Sequence, residues 1–378
     1  MAKGLSSLND MLDKFNKEME GSVIHTAVEV PTCEKILSSV PTYNYVTDGG
    51  FPIGRVIEHY GENGSLKSYM AYDAIAKFQH YDWANHEANA FRSFEYDKEG
   101  DGKYRELKNY KLRRGYKPEE TPESRRVALI DVEGTYTPDW GENFGIDNEG
   151  LIVVRPELLT EAVDIVQALL REESISLVVF DSLSAVGTDD EMEDSMEKQQ
   201  MGTAARFWNK AFRKFQAAIN ANPSQESTLL VINSAYQKVG MVFGNPEAVR
   251  NGEQLKRTKS LSVRFQALKN IEAKTDIGDL VVGRNIIMQC IKNKCGKNNR
   301  KMNCFYGEVS SEFAEIHKTN VEKQIIELAL MFGLVERKGA YYSFEDTRVQ
   351  GLDNFVTTLK ESGVLKDMES KVYEKMHE

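Results

Sequence analysis

Short strand-like runs recur along this chain: RVIEHYG (55–61), VALIDVE (127–133), LIVVR (151–155), SLVVFDS (176–182), STLLVINS (227–234) and RNIIMQCIKNK (284–294). Most lack the polar alternation of a strand with one wet face, so both of their faces need cover. Helical patterns, notably 158–171 and 201–219, fall between several of them. Apolar strands alternating with helices predict an α/β fold built on a buried, mostly parallel sheet.

Composition narrows the class. At 378 residues the chain has room for one large domain or two to three smaller ones. Its 28% charged and 41% hydrophobic content is that of a globular protein. No apolar run approaches the roughly 18–20 residues of a membrane span, and the opening MAKGLSSLNDMLDKF has no apolar core of a secretory signal, so no membrane is expected. Four cysteines do not make a disulfide framework; Cys290, Cys295 and Cys304 read as reduced thiols in and beside a strand, and no C-x-x-C pair points to zinc. A reducing, cytoplasmic compartment follows. A net charge of −10 argues against a simple polycationic DNA coat, though a local basic groove would still serve nucleic acid.

The ends and one internal stretch differ in character. Leu5, Leu8, Met11, Leu12, Phe15 and Met19 give a terminal helix one apolar face, which docks on its own domain or on a neighbouring subunit. Residues 87–126 are charged, Tyr-rich and broken by Gly and Pro, as in an insertion that forms a solvated hairpin or a secondary nucleic-acid contact. From about 310, VEKQIIELALMFGLV, the turn RKGAYY and two further helical stretches predict a compact α+β module. The expected division is 1–40, an N-terminal helix and linker; 41–308, a core; and 309–378, the C-terminal module.

Between the run at 55–61 and a helix beginning KSYMAYDAIAKFQ lies GENGSLKS, Gly61 to Ser68. It nearly matches the phosphate loop G-x-x-x-x-G-K-[ST], whose backbone N–H groups cradle phosphates, with the lysine on the β/γ-phosphates and the hydroxyl on Mg²⁺. The glycine before the lysine is replaced by Leu66. LVVFD ends in Asp181, the form of a carboxylate that shares Mg²⁺ with Ser68. Glu133, at the end of VALIDVE, would orient and polarise an attacking water. Each is weak alone; in this order they support one another.

The ordered set resembles RecA-type strand-exchange recombinases, the group that includes bacterial RecA and the phage UvsX proteins. The likeness runs from about residue 5 to near the C-terminus, through GGFPIGRVIEHYG, ALIDVEGTYTPDW, VVFDSLSAV, MGTAARFWNKAFRK, VGMVFGNPE, IKNK and LALMFGLVERKGAYYSF. It implies a RecA-type P-loop ATPase core with a mostly parallel sheet, an N-terminal helix and a small α+β C-terminal domain. The implied cofactors are ATP and Mg²⁺. The implied partners are single- and double-stranded DNA and further copies of the chain in a helical filament, with single-strand-binding and mediator proteins as candidates. A mixture of bacterial and phage-like features suggests a phage-encoded chain working in the cytoplasm of its bacterial host.

By the same resemblance, Gly61, Glu62, Asn63, Gly64, Ser65, Leu66, Lys67 and Ser68 form the phosphate loop, Tyr69 adds to the nucleotide-binding residues, Glu133 is the catalytic glutamate, and Ser68 and Asp181 hold the metal. Trp140 and Tyr306 fall where aromatics face the base; the alternative for Trp140 is an ordinary core tryptophan. Lys292 and Lys294 match lysines that reach the nucleotide of the adjacent subunit. DNA would lie on two loops, about 189–202 and 235–256, with Met201, Gly202, Arg206, Asn209 and Arg213 around the first and Val239, Met241, Phe243, Asn251 and Gly252 in the second.

The chain departs from the family at Leu66, at Ser234 where the bacterial proteins have a glutamine, at Asn251-Gly252 in place of Gly-Gly, and at Arg257 where they have an aromatic. The expected activity is DNA-stimulated ATP hydrolysis coupled to homology search and strand exchange. Leu66 and Ser234 leave open a filament or regulatory protein with little hydrolysis. A hexameric helicase or motor shares the core, but the C-terminal module and FGNPE argue against it.

Overall fold

The computed structural model describes Met11, Lys14, 33–81, Trp83, 125–183, 203–237, 247–249, 252–275, 278–309 and 317–377. Apart from Met11 and Lys14, the expected terminal helix over 5–19 lies outside these residues, as do most of the 87–126 insertion and the 189–202 loop. In chain order the elements are β1 (Lys35–Ile36), α1 (Pro41–Thr47), β2 (Phe51–Pro52), β3 (Val56–Gly61), α2 (Lys67–Gln79), β4 (Arg126–Asp131), α3 (Pro138–Glu142), β5 (Leu151–Val154) and α4 (Leu159–Arg171). Next come β6 (Ile175–Asp181), α5 (Thr203–Ala221), β7 (Thr228–Gln237), β8 (Glu247–Val249), α6 (Gly252–Thr258), β9 (Leu261–Thr275), β10 (Gly278–Asn293) and β11 (Lys301–Gly307). The chain closes with α7 (Val321–Met331), β12 (Glu336–Lys338), β13 (Tyr341–Phe344), β14 (Thr347–Gln350), α8 (Leu352–Glu361) and α9 (Val364–His377).

The main sheet runs β11-β10-β9-β3-β7-β6-β4-β5, with β8 paired to β7. From β9 through β3, β7, β6 and β4 to β5 every pairing is parallel; β10 and β11 add an antiparallel edge. Both faces are covered, which is why the strands are apolar at successive positions. Ile57, Leu129, Val179 and Leu230 face the core shared with α1 and α2. Val56, Ile130, Val178 and Val231 face the core shared with α4 and α5, under Trp208, Phe212 and Phe215.

The β9–β10 ribbon is longer than the run at 284–294 implies, and β9 has no counterpart among the expected strands. Its outer half alternates exposed Leu268 and Leu280 with charged residues, so no continuous apolar run marks it. VALIDVE is strand only to Asp131, and Glu133 lies in the turn beyond. RKGAYY is not a plain turn: it spans the β12–β13 hairpin of a three-stranded antiparallel sheet. That sheet and α7–α9 enclose their own core around Ile326, Phe344, Phe355, Leu359 and Met368.

One charge sits deep in the main sheet. Glu58, on β3, is fully buried and ion-paired with Lys259, just after α6. Its carboxylate also accepts from Ser262 Oγ at 2.7 Å and Asn233 Nδ2 at 3.1 Å, so β7, β3 and β9 meet on one satisfied group. Removing one partner leaves a buried charge uncompensated. Lys259→Met should therefore destabilise the chain by ~3–5 kcal/mol, and adding Glu58→Gln should restore most of that loss, both read from denaturant unfolding midpoints.

Candidate nucleotide and DNA site

The turn from β3 into α2 carries the candidate phosphate loop. Gly61 crosses β9 so closely that a Cβ there would strike the Phe265 carbonyl. Ser65 Oγ closes the loop on the Glu62 carbonyl at 2.6 Å. Leu66 takes the position of the absent glycine with φ 73° and ψ 17°, in the left-handed region. That backbone costs a non-glycine residue roughly 1–2 kcal/mol. The Leu66 side chain packs against the core of the α2 face, which offsets the strain. Lys67 Nζ turns back to the Gly61 and Glu62 carbonyls at 3.1 and 2.6 Å. Burial pulls its pKa below the ordinary lysine value, against the opposing pull of Asp181, Glu133 and Glu62.

The carboxylates come from neighbouring strand ends. Asp131 and Asp181 are register partners on β4 and β6, while Gly61 and Ser234 are partners on β3 and β7. Ser68 Oγ donates to Asp181 Oδ2 at 3.0 Å, joining helix α2 to β6. Burial pushes the Asp181 carboxyl up to about 6, with Glu133 and Asp131 adding to the rise and the Ser68 hydrogen bond opposing it. Exposed Glu133 accepts from Ser182 Oγ at 2.7 Å.

Asp131, which sequence reasoning passed over, forms that turn. It accepts from the Thr135 and Tyr136 N–H groups at 3.0 and 3.2 Å and from Arg155 Nε at 3.1 Å. The turn it closes carries Glu133 past the strand end.

Aromatic side chains wall the other end of the loop. Trp140 lies edge-on to His317, with ring centroids 4.7 Å apart, and Tyr306 bonds His317 Nδ1 through its hydroxyl at 3.2 Å. Tyr69, on the first turn of α2, meets Tyr306 at 5.5 Å. Trp140 is partly buried and rests against Phe144, so it is both core edge and accessible wall. Arg284 Nη1 donates to the Gly64 carbonyl at 3.1 Å while its Nε pairs with Glu308 at 2.5 Å. His317 and Arg284 are further site residues that no local motif marks.

The two lysines lie elsewhere. Asn293 pairs with Leu261, and Leu261 with Ile57, so Lys292 and Lys294 stand level with the start of β3. At ~3.3 Å per residue that is about 15 Å from Gly61 along the sheet. Their ammonium groups bond the Lys256 and Arg257 carbonyls, at 2.5 and 3.0 Å, at the C-terminal end of α6. Cations there also meet the negative end of the helix dipole.

Of the expected DNA contacts, Arg206 and Arg213 project, exposed, from α5. Asn209 instead uses its Oδ1 to accept from the Gln254 N–H at 2.9 Å, fastening α5 to the first turn of α6. Gly252 opens α6. Met201, Gly202, Val239, Met241, Phe243 and Asn251 lie outside the described residues.

A family model described as the RecA N-terminal domain matches residues 119–310, half of the chain, and one described as the RecA C-terminal domain matches 323–377. The chain belongs to the RecA family. A protein RecA of Bacillus subtilis is 27% identical over 387 residues, covering 100% of this chain and 93% of that one. A protein RecA of a Nocardioides species is 27% identical over 380 residues, covering 98% and 91%. A solved structure of the RadB recombinase shares 14% identity with a TM-score of 0.44 over 71% of this chain and 95% of that one.

The phosphate loop precedes the stretch matched by the RecA N-terminal model, so its reading rests on geometry. That geometry fits a nucleoside triphosphate with Mg²⁺. The loop brings a lysine and a helix N-terminus together, and one hydroxyl and one carboxylate sit 3.0 Å apart. Mg²⁺ usually takes few protein ligands and completes its shell with phosphate and water. Among the described residues no cluster of three or more His, Cys, Asp or Glu side chains forms an all-protein metal cage.

Two outcomes follow. Leu66→Gly should keep nucleotide affinity, whereas Leu66→Val, β-branched at a positive φ, should weaken it roughly tenfold, as read by titration with a fluorescent ATP analogue. Asp181 binds its proton more tightly folded than unfolded, so its contribution to stability is full below about pH 4 and is lost as pH rises through about 6. Asp181→Asn should therefore stabilise the nucleotide-free chain by roughly 2–3 kcal/mol at pH 7–8 and progressively less toward pH 5, measured by urea unfolding across that range.

Proposed function

We propose that this chain is an ATP-dependent recombinase that polymerises on single-stranded DNA, tests a duplex for homology and exchanges strands, hydrolysing ATP to ADP and phosphate as it does so. The observation that carries the reading is the row of strand ends bearing the phosphate loop, Asp181 and Glu133 within a RecA-family chain.

In this reading the loop N–H groups and Lys67 hold the β/γ-phosphates, and Ser68 and Asp181 hold Mg²⁺. The metal ion neutralises charge that develops on the transferred phosphoryl group. Glu133, oriented by Ser182, accepts a hydrogen bond from the attacking water and polarises it. Trp140 and Tyr306, bracketing His317, face the base.

The distance of Lys292 and Lys294 from their own loop supports a role at a neighbour's nucleotide, in a head-to-tail filament. Residues 1–40 would dock on that neighbour, 41–308 would form the ATPase core and 309–378 a separate C-terminal module. Arg206, Arg213 and the second loop would bind DNA without reading sequence. Asn209, which fastens α5 to α6, would link the two DNA loops.

Lys67→Ala and Glu133→Gln should each abolish DNA-stimulated turnover, as should Lys292→Ala/Lys294→Ala. Mixing the last variant with Glu133→Gln in equal amounts pairs an intact glutamate with an intact neighbouring lysine pair at one junction in four, so roughly a quarter of wild-type turnover should return. Absence of any rescue would place the lysines outside the neighbour's site.

A further inference from the structure

Cys295 follows Lys294 in the loop between β10 and β11, and Cys33 precedes β1. Both segments are fastened to the end of α1, and a Cβ on Gly296 would stand 2.8 Å from Lys35 Nζ. Lys35 Nζ donates to the Asp48 carbonyl at 2.6 Å, Lys297 N–H to Asp48 Oδ2 at 3.1 Å, and Arg300 pairs with Asp48 Oδ1 at 3.0 Å. Buried Asn293 donates to the Thr47 carbonyl at 2.8 Å and accepts from the Cys295 N–H at 2.9 Å.

Inside this frame the Cys33 and Cys295 thiols are hydrogen-bonded to each other, and both are free and partly exposed. Cys290 and Cys304 are buried in β10 and β11. We propose that Cys33 and Cys295 are a reactive dithiol that takes a low-molecular-weight disulfide, with Cys295 as the attacking and Cys33 as the resolving sulfur, and closes into an intramolecular disulfide.

The surroundings assign the two roles. The hydrogen bond from Cys33, with Arg55 bonded to Cys295 and Lys35 close by, lowers the Cys295 thiol pKa and so favours its thiolate. The same bond, with burial, pushes Cys33 up, so it keeps its proton.

With glutathione disulfide, the Cys295 thiolate attacks one sulfur, the reagent's S–S bond breaks, and one glutathione thiolate leaves. Cys33 then attacks Sγ of Cys295, giving its proton to the second departing glutathione. The protein loses two electrons and the reagent gains them.

The new bond ties the N-terminal segment to the loop carrying Lys294. If residues 1–40 and the lysines act on neighbouring subunits, a consequence that rests on the recombinase reading, this tether lowers DNA-stimulated ATP turnover until it is reduced.

The test is to treat the full reduced chain with glutathione disulfide, trap free thiols and map peptides by mass. Turnover is measured in parallel before and after dithiothreitol. A single Cys33–Cys295 linkage is expected, with one glutathione retained on Cys295 in Cys33→Ser. Alkylation of Cys295 in the reduced wild-type chain should level off above pH 7 instead of rising toward pH 8.5. First reaction at Cys290 or Cys304, or no 33–295 linkage, would overturn the dithiol. The map decides this whether or not the chain hydrolyses ATP. A linked chain whose turnover is unchanged would overturn the consequence for turnover alone. Cys33→Ser/Cys295→Ser should keep turnover and lose its response to glutathione disulfide.

Discussion

The site depends on the parallel register of four adjacent strands. Gly61 on β3 stands beside Ser234 on β7, and Asp181 on β6 beside Asp131 on β4. Parallel pairing points all four chain directions one way, so every strand delivers its last residues to the same edge, where ligands of open α/β sheets bind. A one-residue slip of β6 would turn Asp181 to the other face and break its bond to Ser68. Burial on both faces holds the register: residues of each strand alternate between the α2 core and the α4–α5 core, and neither set tolerates exposure.

Within that frame the phosphate loop is held by backbone conformation more than by residue type. The motif asks for glycine because a left-handed φ is inexpensive there. Leu66 takes the same φ and offsets the strain by packing its side chain. On β3, His59 is fully buried and held neutral as burial lowers its pKa to about 3, and its Nε2 pairs with the Tyr43 hydroxyl at 2.8 Å.

Much of this was legible in the sequence because local patterns carry it. Continuous apolar runs announced strands covered on both faces, and the motif pattern singled out Ser68 and Asp181, which the fold joins by a hydrogen bond. What stayed hidden depends on contacts between distant segments. His317 reaches Trp140 only through the folded chain, and Arg284 reaches Gly64 across the sheet. Glu133 was expected at a strand end, yet Asp131 closes a turn that carries it beyond. The β9–β10 ribbon was missed because its half-exposed residues have no continuous apolar signature, and Cys33 and Cys295 looked unrelated until the Asp48 corner brought them together.

The proposed function divides its work between the two ends of the sheet. The candidate phosphate loop and carboxylates occupy one end of the parallel strands, while Lys292 and Lys294, at the end of β10 and just beyond it, stand level with the opposite end of β3, against the last carbonyls of α6. On that proposal the chemistry joins two copies, so DNA, assembly and turnover should be coupled. The direct measurement is steady-state ATP turnover by the wild-type chain, titrated with single-stranded DNA of mixed sequence, with electron micrographs of the same samples. Turnover should rise with DNA, saturate at a fixed ratio of nucleotides to chains whatever the sequence, and track the appearance of helical filaments. Turnover that is indifferent to DNA, or that saturates without filaments, would contradict it.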